Sequence, residues 1–325
     1  MKFVSLCGTL TLLCISLSAQ TPIDTAETVS IGGIRQYISL KGKDRSMPLL
    51  LFLHGGPGRS VMQYADNFTH RLQEHFVVVQ WDQRQTGRTR ELNTSNTALS
   101  LRLFQTDTHS LIDTLLRRFG KQKLYLAGHS WGTSLGFYIT ENYPELLYAY
   151  IAIGPMINQL ESERIALAHM QAQALEKGDA SAARELSLVH IPFESGEQLY
   201  FHRKWLGELS GARKNLSKDY VIDWARIWLR TFNEASQRNL LTTLTEIRCP
   251  VYFFTGRTDY QTNSSITEKY YLMLQAPKKG FFWFERSGHS IPSSEPLRMQ
   301  SIIIDTILPE TFTIQKAATL ISNQH

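Results

Sequence analysis

The chain has 325 residues, of which 42% are hydrophobic and 19% are charged. That length and composition suit one large globular core with an insertion, and they exclude a disordered chain. The net charge is +5 at neutral pH, from 34 basic and 29 acidic side chains. These charges form no polybasic run. Because nucleic-acid binding requires a clustered basic face, no nucleic-acid partner is expected.

The first 19 residues have the order of an export signal. A positive start at Lys2 precedes an apolar run over residues 3–17, and the small residues Ser18 and Ala19 follow it. This order predicts a signal peptide, residues 1–19, and a protein that is exported to the periplasm or secreted. The run is too short to cross a bilayer comfortably, and no later segment reaches about 18 apolar residues, so no membrane span is expected. A cytoplasmic protein with an apolar first strand and an uncleaved anchor stay open as alternatives.

Cleavage of this signal would leave one cysteine. Cys7 and Cys14 lie within the predicted signal peptide, so the mature chain would keep Cys249 alone and could form no internal disulfide. Cys249 begins an apolar strand pattern and does not lie on a turn. It is therefore expected to be a buried side chain and not a nucleophile.

Short apolar runs alternate with helical patterns along most of the chain. Strands are predicted at residues 29–40 (a hairpin), 48–53, 75–81, 123–127, 147–153, 251–255 and 281–285. Helices are predicted at residues 62–73, 99–119, 133–143, 264–275 and 296–307. Strands that are apolar on both faces are typical of a parallel sheet. The alternation predicts an α/β protein with a doubly wound, mostly parallel sheet.

One segment interrupts this alternation. Residues 155–247 show helical periodicity and loops, with three tryptophans among polar residues, Trp205, Trp224 and Trp228. We expect residues 20–154 and 248–325 to form the core, and residues 155–247 to form an inserted, all-helical cap. Such a cap would cover the C-terminal edge of the sheet, where open α/β sheets bind their ligands.

The sequence Gly128-His129-Ser130-Trp131-Gly132 lies between a predicted strand and a predicted helix. A serine on such a tight turn needs small neighbours, and its hydroxyl stands at the N-terminus of the following helix. Ser130 is therefore the predicted nucleophile. The alternative is a glycine-rich turn whose serine only caps the helix.

A serine hydroxyl reacts only when a base removes its proton and a third group orients that base. In folds with this turn, the chain order is nucleophile, acid and histidine. Asp259 follows the predicted strand at 251–255, and His289 follows the one at 281–285. Both would lie at the sheet edge that carries Ser130. We predict a catalytic triad of Ser130, Asp259 and His289.

A glycine-rich loop, His54-Gly55-Gly56-Pro57-Gly58, ends the strand predicted at 48–53. A tetrahedral intermediate needs two N–H donors, which we assign to Trp131 and to this loop. Pro57 has no N–H, so Gly56 is the first choice and Gly55 the second. His54 is interpreted as a support for the loop. No metal site is expected, because no second ligand stands at metal-binding spacing from it.

These motifs resemble those of the proline iminopeptidase, or prolyl aminopeptidase, family of the α/β hydrolases. The resemblance also rests on Trp81-Asp82-Gln83-Arg84, and it covers about residues 48–154 and 250–300. It implies the α/β-hydrolase fold and the release of an N-terminal residue, typically proline, from small peptides. It also implies that the protein needs no cofactor. The chain departs from the family at Gln85, where glycine usually follows Asp-Gln-Arg.

An aminopeptidase must recognise a free ammonium group, for which a carboxylate is a suitable partner. The cap lacks the tryptophan–glutamate pattern of the family, so candidates are chosen by position. Glu161 and Glu163 open the cap next to the sheet edge and are the first candidates for substrate binding. The others are Glu194, Glu197, Asp223 and Glu234.

Three functions fit the sequence. The first is an aminopeptidase that acts on small peptides, and the second is an esterase or amidase with the same triad and no ammonium site. The third is a non-catalytic binding protein that retains the fold. An epoxide hydrolase of this fold would need a carboxylate at position 130, where this chain has serine. The sequence predicts no oligomeric state.

Overall fold

The computed structural model describes residues 20–94, 98–211 and 216–311. The predicted signal peptide, residues 1–19, lies outside the described residues, as does the last part of the predicted core, residues 312–325. Among the described residues, no helix combines the length and the apolar character needed to cross a membrane.

An eight-stranded sheet forms the centre of the described structure. Its strands are β1 (Ile23–Ile31), β2 (Ile34–Gly42), β3 (Leu49–Leu53), β4 (Val77–Asp82), β5 (Leu124–His129), β6 (Leu147–Ile153), β7 (Val251–Gly256) and β8 (Lys279–Phe284). Their spatial order is β1-β2-β4-β3-β5-β6-β7-β8. The pairs β1–β2 and β2–β4 are antiparallel, and the other neighbouring pairs are parallel. The predicted α/β class with a mostly parallel sheet is confirmed.

Helices cover both faces of this sheet. They are α1 (Asp66–Thr69), α2 (Gly87–Glu91), α3 (Leu101–Phe119), α4 (Trp131–Asn142), α5 (Gln159–Glu176), α6 (Ala180–Leu186), α7 (Gly196–Leu209), α8 (Lys218–Ser236), α9 (Leu240–Thr243), α10 (Ser264–Met273), α11 (Ile291–Ser294) and α12 (Pro296–Ile302). The helices α5 to α9 all lie between β6 and β7. Where the structure describes it, this insertion is therefore helical, and we refer to it as the cap.

Strand β3 shows why the sheet needs cover on both sides. Leu49, Leu51 and Leu53 belong to one hydrophobic cluster, and Leu50 and Phe52 belong to another. Successive side chains of a strand point to opposite faces, so an unbroken apolar run places a core on each side. The first cluster includes residues of α3, α4 and the cap, and the second includes residues of α12.

One predicted helix is shorter than expected. Residues 62–73 do not form a single helix, because α1 has four residues and a separate 3₁₀ turn covers Leu72–Glu74. Between them, the main-chain N–H of Arg71 donates a hydrogen bond to the side chain of Gln300 at 2.8 Å. The N–H group that a continuous helix would use for an internal hydrogen bond is thus engaged in a tertiary contact. Hydrophobic periodicity alone does not reveal this competition.

Gln85, the departure from the family pattern, has a φ of 54°. This left-handed conformation favours glycine and costs other residues roughly 1–2 kcal/mol. The backbone at Gln85 therefore has a conformation in which glycine is the least costly residue.

A buried polar network holds the antiparallel edge of the sheet to α3. The guanidinium of Arg84 pairs with the carboxylate of Asp107 and also donates to the carbonyl of Gly32. The Arg84 side chain is 5% exposed and that of Asp107 is 0% exposed. Gln36 donates to Asp107 at 2.7 Å and accepts from the Trp81 indole at 2.8 Å. The network therefore joins β2, α3 and the loop after β4.

We expect Asp107→Asn to destabilise the fold by about 3–5 kcal/mol, because it leaves the buried Arg84 guanidinium without a counter-charge. Glu27→Gln is the matched control. It removes the partner of Arg118, which lies on the same helix as Asp107 but in a more exposed ion pair. Its expected cost is below about 1 kcal/mol. Urea unfolding measures the free energy of unfolding of both variants. Equal losses would show that the buried Arg84–Asp107 pair stabilises the fold no more than the more exposed Arg118–Glu27 pair.

Candidate active site

Ser130 lies on a sharp turn between β5 and α4. Its φ is 53° and its ψ is −121°, a combination that non-glycine residues rarely adopt. Its main-chain N–H donates to the carbonyl of Ile153 at 3.0 Å, which ties the turn to the end of β6. Gly132 makes the turn possible, since a β-carbon there would lie 2.1 Å from the carbonyl oxygen of Leu53. The serine on this strained turn is 7% exposed.

Ser130, His289 and Asp259 form a continuous chain of hydrogen bonds. His289 Nε2 lies 2.8 Å from the Ser130 Oγ, and His289 Nδ1 lies 2.9 Å from Asp259 Oδ2. The loops after β7 and β8 supply the acid and the histidine, at the C-terminal ends of those strands. The structure therefore brings together the three residues of the predicted triad.

The carboxylate of Asp259 is 1% exposed and accepts several hydrogen bonds. The main-chain N–H groups of Gln261 and Thr262 donate to Oδ1 at 3.0 and 2.9 Å, and the Thr262 hydroxyl donates to Oδ2 at 2.8 Å. Burial favours the protonated acid, but His289 and these donors outweigh it, and the pKa of Asp259 lies below its ordinary value. The ionised acid can only accept, so Nδ1 of His289 carries the proton. Nε2 then offers a lone pair to the Ser130 hydroxyl.

Two residues, His129 and Gly154, lie against this histidine. His129 Nε2 lies 3.0 Å from the carbonyl of His289 and donates to it, since a carbonyl only accepts. Burial lowers the pKa of His129 to about 4, so this ring is neutral near pH 7. On the other side, a β-carbon on Gly154 would lie 3.2 Å from His289 Nδ1 and 3.3 Å from Asp259 Oδ2. The His289–Asp259 hydrogen bond is therefore packed closely by the main chain at Gly154.

A second buried network lies under the glycine-rich loop at residues 54–58. His54 Nδ1 donates to the carbonyl of Gly55 at 2.8 Å, and His54 Nε2 accepts from the main-chain N–H of Gln83 at 3.3 Å. The Gln83 side chain donates to the carbonyl of His54 at 3.2 Å and accepts from the Trp131 indole at 3.0 Å. Burial lowers the pKa of His54 to about 4, which keeps it neutral. These bonds tie the loop to the residue after Ser130.

The predicted oxyanion residues lie on either side of Ser130. Trp131 is the first residue of α4, so its N–H has no partner within the helix. A β-carbon on Gly55 would lie 3.2 Å from the Cβ of Ser130, which places this glycine next to the serine. A β-carbon on Gly56 would instead face the N–H groups of Gly58 and Arg59. The assignment of donors to Gly56, Gly55 and Trp131 stays a prediction.

The two predicted substrate-binding carboxylates have different surroundings. Glu161 is about half exposed and pairs with Arg164 at 3.4 Å. Glu163 is 1% exposed and pairs with Arg203 at 2.5 and 2.6 Å. Gln159 also donates to Glu163 at 2.8 Å. Burial opposes ionisation of Glu163, but Arg203 outweighs it and the pKa lies below its ordinary value. Neither is an unpaired buried carboxylate.

The remaining candidates have other contacts. Glu194 and Glu197 are exposed and lie near His190 and Lys218, and Asp223 is exposed and pairs with Arg226. Glu234 accepts from the main-chain N–H of Leu101 at the start of α3. The thiol of Cys249 is buried, which raises its pKa to about 12, so the thiolate needed for nucleophilic attack does not form near pH 7. Within the described ranges, no group of three or more His, Cys, Asp or Glu side chains is arranged to hold a metal ion.

Comparison with known proteins identifies the family to which the chain belongs. Residues 48–270 match the family model for the alpha/beta hydrolase fold. A Bacillus subtilis (strain 168) protein named probable aminopeptidase YbaC is 31% identical over 293 residues, covering 82% of this chain and 91% of the relative. The chain belongs to the α/β-hydrolase family.

A more distant sequence relative of this α/β hydrolase and a similar solved structure both have the name proline iminopeptidase. A protein from Heyndrickxia coagulans named proline iminopeptidase is 25% identical over 79% of the chain and 89% of its own length. The crystal structure of proline iminopeptidase from Mycobacterium smegmatis superposes with a TM-score of 0.60 at 14% identity, over 89% of this chain and 100% of that one. At that identity the superposition supports the fold alone. With the sequence relatives, the resemblance to the proline iminopeptidase family is confirmed.

Several residues that shape this site of the hydrolase were not predicted. Thr262 and Gly154 contact the His289–Asp259 pair, and Gln83 joins His54 to Trp131. Gln83 lies in a quoted motif, but nothing in the pattern assigned it a role. A polar turn directly after a candidate acid was the available signal for Thr262.

Three histidines with lowered pKa values should make the hydrolase sensitive to acid. Burial lowers the pKa of His54, His129 and His202 to about 4 each, whereas unfolded histidine titrates near about 6.5. The unfolded chain therefore binds protons first, so these groups reduce stability as the pH falls from about 6.5 toward 4. Replacing one of them, as in His202→Asn, should lower the pH slope of the unfolding free energy by up to about 1.4 kcal/mol per pH unit.

Urea unfolding at pH 7, 6 and 5 measures this slope for both proteins. Comparison of the two slopes cancels the contribution of every carboxylate away from position 202, and leaves that of His202 together with its neighbour Glu163, 3.5 Å away. Identical slopes would mean that His202 does not stay neutral in the folded state.

Proposed function

We propose that the protein is a serine hydrolase that removes N-terminal residues, proline or another small apolar residue, from short peptides. The observation that carries the proposal is the hydrogen-bonded chain Ser130–His289–Asp259 at the C-terminal sheet edge. The names of the two sequence relatives support aminopeptidase action. The low exposure of Ser130 supports a small substrate.

In the proposed reaction, Ser130 Oγ attacks the carbonyl carbon of the first residue while its proton passes to His289 Nε2. The N–H groups of Trp131 and the glycine-rich loop, Gly56 or Gly55, hold the oxyanion of the tetrahedral intermediate. Its collapse breaks the C–N bond, and His289 returns the proton to the leaving amine. Water then attacks the acyl carbon while His289 takes its proton. The bond from that carbon to Ser130 Oγ breaks, His289 returns the proton to Oγ, and the free amino acid leaves.

An esterase or amidase without an ammonium site is the second candidate. The observation that favours it is the pairing of Glu163 with Arg203, which already compensates the most buried candidate carboxylate. An amine-binding role for Glu163 would require a rearrangement of this ion pair.

From the predicted signal peptide, we also propose that the enzyme acts outside the cytoplasm.

A matched pair of substrates separates the two candidates. We expect the purified mature protein to cleave a chromogenic proline amide at least about tenfold faster than its N-acetylated form, because a buried amine-binding group discriminates by more than about 1.4 kcal/mol. Steady-state kcat/KM on each compound is the measurement. Equal or faster turnover of the acetylated compound would replace the aminopeptidase with an esterase or amidase.

Two carboxylate variants extend the same assay. If Glu161→Gln or Glu163→Gln lowers kcat/KM for the substrate with the free amine but not for its acetylated form, the substituted residue is the one that binds the amine. Glu197→Gln is the matched control, since it removes an exposed cap carboxylate that pairs with Lys218. An equal loss on both substrates in Glu163→Gln would indicate that its pairing with Arg203 only supports the cap.

Ser130→Ala should remove turnover of any accepted ester or amide, reducing kcat by at least about 10⁴-fold without unfolding the chain. Asp259→Asn should cost about 10⁴-fold, because an amide at this position leaves the histidine in the wrong tautomer. Circular dichroism checks the fold of each variant. Activity that survives in Ser130→Ala would refute the serine mechanism, and a fully active Asp259→Asn would assign the acid elsewhere. A folded wild-type protein that cleaves no ester or amide would favour the non-catalytic alternative.

A further inference from the structure

Two tryptophans of the cap contact the glycine-rich loop directly. The Trp224 indole N–H donates a hydrogen bond to the carbonyl of Pro57 at 2.8 Å. A β-carbon on Gly58 would lie 2.4 Å from Trp228 Nε1 and 2.7 Å from Cζ2, so the Trp228 indole occupies the space beside this glycine. The two residues are four positions apart on α8 and therefore lie on one face of that helix.

The loop needs such contacts to hold one conformation. Three of its five residues are glycines, which lose more conformational freedom on ordering than other residues. From the core side it is held by His54 and Gln83, as described above. From the cap side, the bond to the Pro57 carbonyl fixes the peptide plane that joins Pro57 to Gly58.

The same helix reaches the other predicted oxyanion donor through an aromatic chain. The Trp228 and Phe104 ring centroids are 5.8 Å apart, and the Phe104 and Trp131 centroids are 5.6 Å apart with perpendicular planes. Trp228 is 3% exposed, while Phe104 and Trp131 are 0% exposed. Helix α8 therefore packs on both segments that flank Ser130, on the loop by direct contact and on Trp131 through one ring.

We propose that Trp224 and Trp228 are positioning residues that set the geometry of the oxyanion hole. The proposal rests on the proposed function, because it requires a tetrahedral intermediate at Ser130. In this arrangement the cap does more than cover the substrate, since α8 holds the loop whose N–H group meets the developing negative charge. Preorganised donors stabilise a transition state only when they are held in place, and a displacement of about 1 Å can cost about 10²-fold in rate.

Trp224→Phe tests the hydrogen bond, because it removes the indole N–H and keeps an aromatic ring. Trp205→Phe is the matched control. Trp205 also lies in the cap and donates its indole N–H, but to Glu185 at 2.7 Å and not to the loop. We expect kcat to fall about 10- to 100-fold in Trp224→Phe, with KM within about twofold, and to stay within about twofold of wild type in Trp205→Phe.

The decisive readout is independent of peptide specificity. A fluorophosphonate probe forms a bond from Ser130 Oγ to phosphorus, releases fluoride, and places its phosphoryl oxygen in the oxyanion hole, while the serine proton passes to His289. Its second-order labelling rate should fall in parallel with kcat/KM in Trp224→Phe. Trp228→Phe, which withdraws the ring from Gly58, provides a second variant and should change both rates in the same direction.

The outcomes separate the two claims. If the probe labels wild type at Ser130 and labels both α8 variants as fast as Trp205→Phe, the positioning role is wrong and the serine mechanism stands. If wild type is not labelled at Ser130, the proposed function fails, and the positioning role fails with it. A rise in KM with unchanged kcat would also overturn the proposal, since it would assign the tryptophans to substrate binding.

Discussion

The hydrogen bond between His289 and the buried carboxylate of Asp259 is the interaction on which the rest of the site depends. A carboxylate this deeply buried stays ionised because His289 and the N–H and hydroxyl donors of the turn that follows it together outweigh the cost of burial. Its charge decides which nitrogen of His289 carries the proton, and hence that a lone pair faces Ser130. The strained turn at Ser130 would be a cost without a function if that lone pair were absent.

The cap packs on the sheet edge that carries Ser130 at two separate points. Helix α8 contacts the glycine-rich loop through its tryptophans, and Gln159 on α5 donates to the carbonyl of Gln261 at 2.9 Å, next to the turn that solvates Asp259. Within the cap, the buried pair of Glu163 and Arg203 joins α5 to α7. The cap and the Ser130–His289–Asp259 site therefore share packing contacts, although the residues of the cap lie between β6 and β7 in the chain.

The fold could be predicted because its strands are short, apolar on both faces and separated by amphipathic helices. The sequence places Ser130, Asp259 and His289 with equal clarity, since each directly follows a strand of a parallel sheet. It could not reveal that Arg71 donates to Gln300 and shortens a helix, because that contact joins residues far apart in the chain. The same limit applies to the charge environment of Glu163. Its position next to the sheet edge made it a candidate for substrate binding, but only the packing of α5 on α7 places Arg203 beside it.

The left-handed backbone at Gln85 bears on how such proteins are recognised. The position requires a conformation, and glycine is only its least costly residue, so a fold with a large core can absorb roughly 1–2 kcal/mol and accept glutamine instead. At this position the side chain therefore departs from the family pattern although the backbone has a conformation that favours glycine. A search that demanded glycine after Asp-Gln-Arg would pass over this chain, although its residue at that position has the positive φ that glycine accepts most easily.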